Sequence, residues 1–422
     1  MDLLSADWVL PVEGPPIEQG AVAIEHGRIA AVGTIAELGR GRHFEEAVIV
    51  PGFVNAHSHL EYAVYAGFGD GLPFVSWLEL HVERKARIGL PEMEAIARLG
   101  AAECLASGIT TVGDASYSGA AAIACAELGL RAIVYIEVFG RGTEQIATRF
   151  EAHRERIAGA LSDRVHLGIS PHSVYTASLD LWEAAAELGV PMATHLNETG
   201  AELEWTRHRR GPIGPALPDP IEPGSIRALA GRGLLSKRLV AAHCVHVDEE
   251  EIELLAGHGV AVAHCPRSNA LLGCGIAPLA DLRAAGLRVG IGTDSPASAP
   301  SFDMFEELRA AVFFARARER RADALTAAEA LELATLGGAR ALGLGGEIGS
   351  LAAGKQADLT VVSLAASPFL PWEDPAAAAV FGGSPERVLA TLVAGETRYE
   401  RGGMAWHELT DAARSARKRL LP

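Results

Sequence analysis

"LVAAHCVHVDEEEIELLAGHGVAVAHCPRSN", residues 239–269, decides the fold. An apolar run closes on His243, an acidic helical stretch follows, and a second apolar run closes on His264. Short apolar runs alternating with longer Leu/Ala/Glu-rich segments are the pattern of parallel strands joined by crossover helices. The unit recurs along the middle of the chain. Its other candidate strands are "AVIVPGFVNAHSH", "GITTVGDAS", "RAIVYIEVFG", "VHLGISPHS", "VPMATHLNE" and "RVGIGTDS", with helical segments such as "LPEMEAIARLGAAECLASG" and "SLDLWEAAAELG" between them. Eight repeats predict an α/β fold, a parallel (β/α)8 TIM barrel over residues 51–345, rather than an open doubly wound sheet. Residues 1–50 and 346–422 read differently. "GAVAIEHGRIAAVG", "GSLAAGKQADLTVVSL" and "RVLATLVAGETRYERGG" are short strand patterns with Gly-rich turns, so the two chain ends are expected to pair into a small β-sandwich, followed by a terminal helix.

Composition narrows the function classes. The 422 residues are 49% apolar and carry a net charge of −16, with the acids spread through helical segments. That balance argues against nucleic acid and fits a small-molecule enzyme. The basic tail "RSARKRLLP" reads as a helix end. Cys104, Cys125, Cys244, Cys265 and Cys274 form no CxxC pair and are odd in number, so no disulfide framework is expected. No apolar run reaches membrane-spanning length and "MDLLSADWVLPVEG" lacks a basic region before an apolar one, so a soluble cytoplasmic protein is expected. The expected partner is a small molecule, not nucleic acid or membrane; self-association into a homo-oligomer is compatible with this. The Pro/Gly/Arg-rich "RHRRGPIGPALPDPIEPGS" reads as a long loop over the barrel mouth.

Polar residues gather at the C-terminal ends of the predicted strands, the rim on which such barrels build active sites: His57/His59, Asp114, Glu137, His172, His195/Glu198, His243/His246, His264 and Asp294. Two imidazoles at i, i+2 on a strand end can bind one divalent ion, although an isolated HxH is as readily two hydrogen-bonded or solvated histidines. His195 on the fifth strand and Asp294 after the eighth complete a set of three His and one Asp, workable as a hydrolytic metal site with one open position. Glu198, three residues beyond His195, is placed to carry a proton between water and a leaving group, or else favours a helix start. His243 can hold the attacking water, Asp294 can take a proton from it, and His246 reads as a structural loop residue.

These segments resemble the amidohydrolase superfamily, in its branch of purine, pyrimidine and triazine aminohydrolases. The resemblance is carried by "PGFVNAHSH", "SPHSVYTAS", "ATHLNETGAELEW", the opening 239–269 segment continued to "LLGCGIAPLADL", "GIGTDSPAS" and "LAAGKQADLTVV". It implies one metal ion held by His57, His59, His195 and Asp294, with Glu198 as proton shuttle and His243 as second catalytic residue. The fourth strand offers His172 in place of the lysine that bridges two metals in the binuclear branch. Zinc is usual in the family and Fe2+ also occurs. The resemblance further implies hydrolytic deamination of an adenine nucleoside at C6, with His172 touching substrate.

For the substrate, deaminases of methylthioadenosine and S-adenosylhomocysteine place a ribose-holding Glu after a Trp-Leu pair. Here Trp77-Leu78 leads to Ala86, and the nearest acid is Glu83. Glu61, the loop "ETGAELEWTRHRRGP" and "CPRSN" resemble instead the aminodeoxyfutalosine deaminases of menaquinone biosynthesis. Arg267, Arg207 or Arg210 would then pair with the benzoate of that substrate, or else bond a strand end or solvent. Glu61 would hold a ribose hydroxyl or cap the following segment. The favoured substrate is 6-amino-6-deoxyfutalosine. Alternatives are methylthioadenosine, S-adenosylhomocysteine or adenosine, another ring aminohydrolase or chlorohydrolase reaction, and, from a different class, an inactive barrel scaffold.

Overall fold

A computed structural model describes residues 2–216 and 225–422. Eight parallel strands run in barrel order Phe53–Ser58, Ile109–Ser116, Arg131–Val138, Val165–Pro171, Met192–Leu196, Leu239–His243, Ala261–His264 and Arg288–Ile291. The eighth returns to the first, where the Asp294 amide donates to the His57 carbonyl at 3.0 Å. Small residues at every second position fill the barrel near the strand starts: Val54 and Ala56, Val240 and Ala242, Ala261 and Ala263. Ala339, Leu342 and Ile348 close that end, which leaves the opposite rim for chemistry.

The chain ends form one seven-stranded sheet in the order 396–400, 388–393, 359–363, 42–51, 2–9, 17–25, 28–34. The join between its halves is antiparallel, from Leu359↔Pro51 to Ser363↔Ala47. Its apolar residues, among them Val22, Ile49, Val361 and Leu392, make a separate small core. The candidate strand "AVIVPGFVNAHSH" is therefore two strands: residues to Pro51 belong to the end sheet, and Phe53 begins the barrel. Gly52 permits the turn between them, since a Cβ there would lie 2.2 Å from the Thr110 side chain.

The C-terminal helix Trp406–Leu420 buries Ala413, Ala416 and Leu420 in the main core, with basic residues in its last turn. Its Arg417 donates to the carbonyls of Val64 and Ala66 and stacks 4.4 Å over Phe68, bracing the segment after His59. No helix among the described residues is long and apolar enough to cross a membrane. The five cysteines are buried and unpaired. The expected mouth loop starts as the end of helix Gly200–His208, and Ile213 beyond it lines the cavity; residues 217–224 lie outside the described residues.

Candidate active site and metal centre

Four donor groups converge on the rim. The ligand atoms of His57, His59, His195 and Asp294 all lie within 4.8 Å of one another, and all four residues are buried. Two carbonyls fix the imidazole tautomers: His59 Nδ1 donates to Ala115 O and His195 Nδ1 donates to His172 O, each at 2.9 Å. Both Nε2 atoms therefore carry lone pairs, and they face each other at 3.2 Å. Burial, then the neighbouring histidines, pushes the pKa of His59 down to about 3 and that of His195 well below its usual value, so protonation does not relieve the contact. His57 Nε2 is buried with no hydrogen-bond partner among the described residues. Asp294 Oδ1 lies 3.5 Å from His57 Nε2 and 3.4 Å from His59 Nε2. Converging lone pairs and a carboxylate fit one divalent cation, and the carbonyl-held Nδ1 atoms are the outer support such ligands need.

The backbone departs from regular strand to aim these groups. Val54 and Ala56 face inward, and the pairing with the second strand slips between Asn55 and Ser58, where His57 sits. His243 and Asp294 are in the left-handed region, at φ 72° and 55°. Such non-glycine residues are held by their surroundings and concentrate at functional sites. Asp114 anchors the same turn, accepting from Ser58 Oγ at 2.9 Å and Leu60 N at 2.7 Å.

Beside the four donors, Glu198 Oε1 lies 3.7 Å from His243 Nε2. Burial, then the charges of Asp294 and Glu202, raises the Glu198 carboxyl well above the usual range. His243 Nδ1 is fixed by Asn269 Oδ1 at 2.9 Å, burial pushes its pKa down to about 4, and its Nε2 has no partner among the described residues. Glu198 thus faces an imidazole nitrogen free to accept a hydrogen bond. A cavity of about 480 Å³ opens over them, walled by Tyr62, Phe74, Trp77, Phe139 and Tyr175 and including His172 and Glu137. Its size and aromatic lining suit a small planar ligand.

The amidohydrolase family model matches residues 48–398. The chain belongs to the amidohydrolase family. A 5-methylthioadenosine/S-adenosylhomocysteine deaminase of Moorella thermoacetica is 35% identical over 409 residues, covering 93% of each chain. A 5'-deoxyadenosine deaminase of Methanothermobacter thermautotrophicus is 33% identical over 395 residues, covering 90% of this chain and 89% of that one. The zinc-bound structure of an adenosine deaminase from Xanthomonas campestris superposes with a TM-score of 0.88 at 31% identity, covering 99% of this chain and 98% of that one.

In this amidohydrolase the expected substrate residues divide. His172 lines the cavity, its Nδ1 bonded to Thr176 Oγ1 at 2.9 Å and its ring 4.5 Å from that of His195. Arg267 does not reach the cavity. Its Nε donates to Glu307 at 2.6 Å and its other nitrogens to Glu306 and Ser301, because its side chain runs back to the helix Met304–Glu319. Arg207 pairs with the buried Glu251 at 3.1 Å, and Arg210 is exposed, 3.9 Å from Glu204. Neither lines the cavity. Glu61 does not line the cavity either: its carboxylate accepts from the amides of Tyr117, Ser118 and Ala120 and the hydroxyls of Ser116 and Ser118, capping the helix Ala120–Leu128. It serves as a cap, but of a helix after the second strand. Glu83 is paired with Arg87 at 2.6 Å.

Sequence reasoning missed the supporting groups. Ser268 and Ser298 each donate to Asp294 Oδ2 at 2.6 Å, leaving Oδ1 for the donor cluster. Glu202 accepts from the amides of Asn197 and Glu198 at 3.1 and 2.9 Å, fixing the turn that carries Glu198. Within "PRSN" the signal was present but read one residue early: Ser268 and Asn269 reach the site, and Arg267 turns away.

Proposed function

We propose that this amidohydrolase hydrolyses the exocyclic amine from C6 of an adenine nucleoside, giving the 6-oxo nucleoside and ammonia. The observation that carries this reading is the Glu198–His243 pair beside four convergent donors, at the floor of an aromatic cavity. Zinc, as in the Xanthomonas adenosine deaminase, is the ion we assign to His57, His59, His195 and Asp294; Fe2+ suits the same donors. The ion would supply Lewis acidity, making a water nucleophilic near neutral pH. His243 Nε2 accepts a hydrogen bond from that water and directs its oxygen at C6. Glu198 protonates the ring nitrogen next to C6, so that C6 can become tetrahedral, carries one proton of the water to the departing amine, and takes the second from the new C6 hydroxyl as the carbonyl forms, ending as it began. His172 contacts the nucleoside from the wall.

For the identity of the nucleoside, the departure of Glu61 and Arg267 from the cavity removes what favoured 6-amino-6-deoxyfutalosine at the level of sequence. The names of the relatives favour methylthioadenosine, S-adenosylhomocysteine and 5'-deoxyadenosine. We therefore assign the class as 5'-modified adenine nucleosides, with aminodeoxyfutalosine one member. Ammonia release should appear with this panel, and kcat/KM should be at least about 100-fold lower with guanine, read as ammonia, or with a chlorotriazine, read as chloride, since a pocket built to hydrogen-bond one ring edge rejects another strongly. Faster turnover of guanine or the triazine would overturn the reading.

A further inference from the structure

We propose that Lys85 is the anion-recognising residue of the cavity, and that the preferred substrate is an adenine nucleoside whose 5' extension ends in a carboxylate. This deepens the deaminase reading above and rests on it. Lys85 ends the helix Phe74–Lys85 and is the only lysine or arginine among the described residues lining the cavity. Its ammonium sits 4.0 Å from the Tyr117 ring centroid and 5.6 and 5.7 Å from those of Tyr62 and Phe139. These rings come from the segments that follow the first three barrel strands and fix where the charge stands. Glu137 and Glu61 act on it as charges, with no ion pair to it among the described residues.

Aromatic faces attract an ammonium but accept none of its N–H bonds in the way an oxygen does. A carboxylate entering the cavity would therefore meet a partly dehydrated cation. Four other cations of these segments are committed elsewhere. Arg267 is held by Glu307, Arg207 by Glu251, and Arg87 by Glu83, while Arg84 stacks on Phe68 at 3.9 Å. The acid-recognising role expected of the arginines thus falls to a lysine in a segment that drew attention only for its missing glutamate, at Ala86.

The test compares two carboxylate-bearing nucleosides, S-adenosylhomocysteine and 6-amino-6-deoxyfutalosine, with two lacking one, methylthioadenosine and 5'-deoxyadenosine. The readout is the ratio of kcat/KM, acid over neutral, in which any loss common to all substrates cancels. Wild type should favour the acids. Lys85→Met should lower the ratio roughly 10- to 100-fold, the range for a hydrogen bond to a charged group, and should do so through KM. Lys85→Arg should restore most of it. Wild type active on the neutral pair without preference for the acids, or a ratio that Lys85→Met leaves unchanged, overturns the assignment and leaves the deaminase standing. Wild type inactive on all four overturns the deaminase reading and this inference with it.

Discussion

Glu198→Gln lowers kcat on a 5'-modified adenine nucleoside by roughly 10²- to 10⁴-fold, the usual contribution of a positioned proton carrier. Glutamine has the same shape and keeps the turn, because the Glu198 and Asn197 amides, not the side chain, are what Glu202 holds. What is lost is the ability to give and take a proton. Burial raises the Glu198 carboxyl, so the acid form needed to protonate the ring nitrogen persists toward neutral pH. The measurement is kcat together with metal content and Tm. A variant with unchanged metal and Tm but lost turnover supports the shuttle. Turnover within threefold of wild type with metal in place would contradict it.

Removing the ion has the second large effect. His195→Ala, or chelation of the wild type, should abolish deamination and lower Tm. The facing lone pairs of His59 and His195 and the buried His57 Nε2 are what the ion would bind, so its loss leaves buried polar atoms uncompensated. Binding to the folded chain alone adds stability by mass action, about 4 kcal/mol at a thousandfold excess over Kd. Adding back Zn2+ should restore both readouts in the chelated wild type, and Tm much less in His195→Ala. Full activity in protein shown by metal analysis to hold no stoichiometric ion would exclude the metal centre.

The barrel and the donor cluster were legible in the sequence for a physical reason. Strand and helix periods differ, and the chemistry sits at strand ends, where chain position nearly fixes spatial position. His57, His59, His195 and Asp294 are on or just past the first, fifth and eighth strands, whose C-terminal ends share one rim, so the four meet across the barrel mouth. Long side chains escape this logic. Arg267 begins the short helix Pro266–Leu271 on the rim, yet its guanidinium lies against the helix Met304–Glu319, two elements away. Glu61 directly follows the HxHL segment, yet its carboxylate belongs to a helix almost 60 residues on. Lys85 was invisible for the converse reason. Its environment is made by Tyr62, Tyr117 and Phe139, which only the closed barrel assembles. The pairing of the chain ends followed from their shared strand style, while the junction at Pro51–Phe53 did not, because two apolar strands there run on with only Gly52 between.

The most direct measurement is mass spectrometry of methylthioadenosine turned over in ¹⁸O-water by the zinc-loaded wild type. The expected product is a 6-oxo nucleoside with one ¹⁸O on the base, one ammonia released per nucleoside, and none of either after chelation. Release of free adenine, or recovery of unlabelled substrate from metal-loaded enzyme, would contradict hydrolytic deamination at C6.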